Sequence, residues 1–92
     1  MAITKFSTVQ VKSGETETVD LGSTIINAST SVQGFDVSYN HDHHVRSISV
    51  ASSMKGISGS KVSVGATCEM RDDSNNVGYG TVTVLIIADC EA

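Results

Sequence analysis

From Lys61 to Arg71 the chain alternates between apolar and polar side chains without a break. Val62, Val64, Ala66, Cys68 and Met70 fall on one side; Lys61, Ser63, Gly65, Thr67, Glu69 and Arg71 fall on the other. A repeat of two is the repeat of a β-strand, because successive side chains leave opposite faces of the pleat. A strand with one apolar and one wet face belongs to an antiparallel sheet. No stretch of the sequence carries a comparable helical period, and proline and tryptophan are absent.

Other segments fit the same pattern. A strand runs from about Thr30 to Tyr39, with Thr30 and Val32 in one phase and Phe35, Val37 and Tyr39 in the other. The phase slips at Gly34, the signature of a β-bulge. Val45–Ser52 is a third strand, with Ile48 and Val50 as core candidates, and Met54–Gly59, with two glycines, reads as the loop that follows. Phe6–Lys12 and Thr18–Ile26 are shorter strands around the turn Ser13-Gly14-Glu15. At 92 residues the chain is a single domain, residues 1–92. The expected fold class is all-β: a six-stranded antiparallel β-sandwich.

The last strand, Tyr79–Cys90, differs. Val82, Val84, Ile86 and Ala88 form one apolar face, while Leu85 and Ile87 make part of the other apolar too. Apolar side chains on both faces mean cover on both faces. A chain this short cannot cover both faces of every strand, so another subunit is expected over Leu85 and Ile87. The alternative cover is a loop or the N-terminal segment.

Charge narrows the partners. Ten acidic against six basic residues give −4 with neutral histidines. A nucleic-acid backbone or an anionic membrane would want a basic patch instead. The longest apolar run, Val84–Ala88, has five residues, against about 20 for a membrane-spanning helix. Met1-Ala2-Ile3-Thr4-Lys5-Phe6 has neither an apolar core nor a cleavage pattern of a signal peptide. The expectation is synthesis in the cytoplasm, with release by lysis or within a larger particle. A turn at Asp72–Asn76 would set Cys68 opposite residue 81 or 82 and leave Cys90 well beyond. That geometry disfavours a disulfide within the hairpin, and two free thiols are expected. Cys90 is read as lying at a frayed terminus.

Four residues stand out chemically: His41-Asp42-His43-His44. In extended backbone His41 and His43 share a side and form a pair of candidate ligands for Zn, Ni or Cu. One chain offers too few ligands for a closed site. Copies around a symmetry axis would supply the rest. The alternative is a solvated polar turn, with no cofactor. Glu69, Asp72 and Asp73 surround Arg71, but Asp72-Asp73-Ser74-Asn75-Asn76 is good turn chemistry and is expected to be wet. No GxSxG elbow, phosphate loop or EF-hand spacing occurs. Cys68, on an apolar face, is a core thiol rather than an activated one. The chain is expected not to be an enzyme.

Within Ser31–Ala88, Gly34-Phe35-Asp36-Val37 leads through a polar turn to His44-Val45-Arg46, and a closing strand ends in an apolar run. This pattern resembles the H-type lectin domain of snail agglutinins and discoidins. The resemblance implies a trimeric six-stranded sandwich that binds galactose or N-acetylgalactosamine near subunit boundaries. It places Arg46 at the position of the family's sugar-binding arginine, whose fork of donors suits paired hydroxyls. Asp42, His43 and His44 neighbour it on the turn, and Asp72 and Asp73 are expected close by across a subunit boundary. The family also stacks the sugar on an aromatic in the following strand. Here Cys68-Glu69-Met70-Arg71 carries none, and Tyr79 is the aromatic near that hairpin.

Two principal functions follow. One is a lectin-like carbohydrate-binding module acting as a homo-oligomer. The other is an assembly protein, a trimeric sandwich in a phage tail, fibre or similar particle, with a metal on its axis held by His41 and His43. A bare oligomerisation domain of a cytoplasmic protein is a third.

Overall fold

A computed structural model describes residues 2–38 and 45–92. Among them are seven strands and no helix: β1 (Ala2–Lys12), β2 (Thr16–Asp20), β3 (Ile25–Asp36), β4 (Val45–Ser58), β5 (Lys61–Asp72), β6 (Val77–Tyr79) and β7 (Thr81–Glu91). The all-β antiparallel expectation is met. The strand count exceeds the expected six because Tyr79 and Thr81 fall in different strands. Among the described residues there is thus no helix that could cross a membrane.

The strands form two antiparallel layers. In the first, β7 lies between β1 and β3. In the second, β5 pairs with β4 along one edge. Its other edge is shared by β2, opposite residues 61–65, and by β6, opposite residues 69–71. The corner after β1 fills the gap between them. Gly14 donates its N–H to the Ala66 carbonyl at 2.9 Å, and Ser13 Oγ accepts from the Cys68 N–H at 3.0 Å. β1 and β2 therefore do not form a hairpin. The chain changes layer at Ser13–Glu15, again between β2 and β3 and between β3 and β4, and a last time at Gly80, between β6 and β7.

The alternating residues read from the sequence supply the core. Val62, Val64, Ala66, Cys68 and Met70 from β5 meet Val82, Val84, Ile86, Ala88 and Cys90 from β7, with Val11 and Ile25 completing the buried set. Both cysteines are buried and unpaired. Cys90 is not at a frayed end. It lies on the middle strand of its sheet, opposite Ile3 on one side and Ile25 on the other.

Two boundaries move. Thr18–Ile26 is two strands, separated by the turn at Gly22, whose φ of 81° suits glycine. The expected loop Met54–Gly59 is mostly strand. Gly56 sits in a bulge between Met54 and Gly56, after which Ile57 pairs with Val62, and the turn comes at Gly59. The bulge at Gly34 is present, between Val32 and Gly34 opposite Thr83 and Val84.

The molecule is a rod of 53 × 17 × 16 Å. Its radius of gyration is 15.6 Å, against about 12 Å for a compact domain of this length. The long axis follows the strands, since fourteen residues of β4 at about 3.3 Å each account for most of it. A thin rod leaves much apolar surface uncovered. Ile48, Met54 and Ile57 pair with core residues of β5, yet they remain exposed along the outer edge of β4.

Candidate functional site

The start of β4 and the end of β5 meet at one end of the rod. Val45 pairs with Asp72 and Ser47 with Arg71, leaving Arg46 in a bulge between them. Beyond Asp72 the chain turns back into β6. Asn75 takes the left-handed backbone at φ 64°, which asparagine tolerates. Its N–H donates to the Asp72 carbonyl at 3.2 Å.

Asp72 organises this turn. Its Oδ1 accepts from the N–H groups of Ser74 at 2.9 Å and Asn76 at 2.8 Å. Its Oδ2 accepts from the Asn76 side-chain amide at 2.9 Å. The residue is only 3% exposed, so the expectation of a wet carboxylate is corrected. Short polar side chains bond their own backbone two to four residues on, and that closes the carboxylate inside the turn. Asp73, by contrast, is exposed.

Arg46 is exposed and reaches over the turn, donating from Nη2 to Asn75 Oδ1 at 2.9 Å. That bond holds one of the five N–H donors of a guanidinium. Arg46 and the Asp72–Asn76 turn thus come together within one chain. Strand pairing alone accomplishes this. His41, Asp42, His43 and His44 lie outside the described residues. Among the described residues no three His, Cys, Asp or Glu side chains cluster as metal ligands would.

Two rows along from the turn, Tyr79 of β6 stands directly opposite Glu69, and Glu69 opposite Ser49 of β4. Arg71 and Ser47 form the neighbouring pair on the same outward face. Tyr79 is 65% exposed. The sequence offered no spacing that joined Tyr79 to Glu69, because the pairing depends on where the five-residue turn closes. Small aliphatic side chains fill the core, and Phe6, Phe35 and Tyr79 are all exposed.

The outward face of β7 carries the second candidate surface. Ile87 lies between Phe6 of β1 and Ser29 of β3; Leu85 lies between Thr8 and Ser31. Both are half-buried by these flanking strands. The N-terminal segment that could have lain over them is β1, which runs beside them in the same sheet. Phe6 remains 67% exposed.

Cys68 sits under the layer crossing at Gly80. Burial pushes its thiol above the ordinary 9.0, and the nearby Asp36 carboxylate adds to the shift, while the Gly80 N–H opposes it. Such a thiol stays protonated and unreactive. Comparison with protein-family models, curated proteins and solved structures returned no match for this chain.

Proposed function

We propose that this chain is a carbohydrate-binding, lectin-like module that acts as a homo-oligomer, a trimer in the simplest form. Its ligands are sugars of the galactose or N-acetylgalactosamine type. It is a binder rather than an enzyme. The observation that carries the reading is the position of Arg46. It stands over the Asp72–Asn76 turn, anchored by Asn75 through one of the five donors of its guanidinium. A guanidinium donates to paired hydroxyls and a carboxylate such as Asp73 accepts from them, which is the hydrogen-bonding inventory a sugar needs. Asp42, His43 and His44 join the set as neighbours in sequence. Tyr79, exposed beside Glu69, offers an apolar ring face of the kind a sugar ring stacks on.

The test is a glycan array followed by titration calorimetry on the purified full chain. Binding to galactose-type glycans is expected, and Arg46→Ala should weaken it at least about tenfold, the worth of one charged hydrogen bond. No binding to any glycan at high micromolar subunit concentration overturns the reading.

A second reading has its own support. A rod 53 Å long with apolar side chains on outward surfaces suits a building block of a larger particle. In that reading the subunits form a trimeric sandwich within a phage tail or similar structure. His41 and His43 would hold a divalent metal on the trimer axis. Elemental analysis of protein purified without a histidine tag tests the metal. Less than about one ion per trimer removes it, since a single axial site shared by three chains is the minimum arrangement.

A further inference from the structure

The first sheet carries a concavity of about 290 Å³ on its outward side, lined by Gln10, Gly34, Phe35, Asp36, Thr81 and Thr83. We propose that it is a monosaccharide site, separate from the Arg46 turn and on the opposite layer of the rod. The proposal goes beyond the carbohydrate reading above but rests on it for the class of ligand.

The bulge makes the cavity. Val32 pairs with Val84 and Gly34 with Thr83, so one extra residue is accommodated in β3 at this point. A bulge bends its strand and re-aims the side chains that follow. Phe35 and Asp36, the two residues that follow, both line the cavity. Phe35 is half exposed despite lying opposite the buried Val82. Opposite them, β1 contributes Gln10 and β7 contributes Thr83, which are register partners. Thr81 pairs with Asp36 and closes the end.

The lining has the functional groups for a polyol. The Asp36 carboxylate accepts two hydroxyl protons, Gln10 both donates and accepts, and each threonine hydroxyl does either. Phe35 lines the rim from the phase of Val82, next to Asp36. Binding pockets for drug-sized molecules begin at about 300 Å³, so this cavity admits a single pyranose ring rather than an oligosaccharide. No basic residue lines it, which disfavours an anion. The cavity also begins where the apolar strip of Leu85 and Ile87 ends, so copies packed on that strip would leave it at their margin.

Backbone-amide NMR of the isotope-labelled full chain tests the site. The probes are methyl β-galactopyranoside, N-acetylgalactosamine and methyl β-glucopyranoside, titrated into the millimolar range. Saturable shifts are expected at Gln10, Gly34, Asp36 and Thr83 with at least one probe. Asp36→Asn, which keeps the shape of the side chain, should weaken that binding about tenfold, as should Gln10→Ala. Shifts at Arg46, Asp73 and Asn75 report the turn separately. Movement at the turn with no movement around Asp36 overturns the cavity and leaves the turn standing. Movement around Asp36 alone does the reverse. Cavity shifts that survive both substitutions unchanged, or no shift with any probe, also overturn the proposal.

Discussion

The Ser13 N–H donates to the carbonyl of Gly80 at 2.9 Å, tying together two of the places where the chain passes from one layer to the other. Gly80 in turn donates to the Cys68 carbonyl at 3.0 Å. There is no room for a side chain there. A β-carbon on Gly80 would meet the Asp36 carbonyl oxygen and would lie 2.7 Å from Cβ of Val37 and 2.9 Å from Sγ of Cys68. Gly80→Ala should therefore cost about 1–3 kcal/mol as an overpacking substitution, read as a lower urea midpoint with unchanged slope. A midpoint equal to that of the parent would mean the crossing is looser than described.

Asp72→Ala removes the acceptor for three donors in the turn. The expected loss is on the order of 1–3 kcal/mol, the cost of leaving such groups unmatched. The same substitution frees Asn75 from its fixed conformation and so should weaken any ligand held by Arg46. A variant with full stability by urea titration would count against the turn as drawn.

Leu85→Lys places a charge in the middle of the outward apolar strip beside Phe6 and Ile87. Sedimentation equilibrium should show the parent as an oligomer and the variant as a 9.6 kDa monomer. A folded variant with the parent's mass would move the interface elsewhere, with the exposed Ile48, Met54 and Ile57 on β4 as the next surface to alter.

The thiols provide a chemical test. Cys68 and Cys90 are buried, so a thiol reagent should label neither in the native protein and both in urea. The pH dependence has a definite sign. Cys68 holds its proton more tightly folded than unfolded. Its contribution to stability is complete below the unfolded value near 9.0 and declines as pH rises from there through the folded value. Asp20 acts in the opposite direction. The Gly22 N–H, first, and then the Ser60 hydroxyl hold its carboxyl below its ordinary 3.8. Its contribution is present above that value and is lost as the solution is acidified through the folded one. Urea midpoints falling on both flanks are the expected result, and Asp20→Asn should flatten the acid side.

Much of this fold is legible in the sequence, for reasons tied to particular residues. The five apolar residues of β5 point inward because a strand cannot present them any other way without exposing all of them. Gly34 marks its bulge because the alternation visibly slips there. Gly56 misleads: it too lies in a bulge, but its neighbours suggest a loop, and only the pairing of Ile57 with Val62 shows that the strand continues. Cys90 looks terminal along the chain and is central in space. The site is less legible. Arg46 stands out in the sequence through a resemblance, and strand pairing sets it over Asn75. The buried role of Asp72 depends on a local turn whose hydrogen bonds no spacing reveals. The cavity at Phe35 and Asp36 needs three strands in register, none adjacent in sequence to all the others.

The rod shape sets where the Arg46 turn would lie in an assembly of copies. Each copy carries its Arg46 turn at one tip, at the far end of a body about three times longer than it is wide. Copies laid side by side in the same direction would gather those tips on a single face, a few nanometres apart. If the proposed carbohydrate reading holds, a surface dense in glycans would meet several such sites at once, and avidity would multiply their separate affinities.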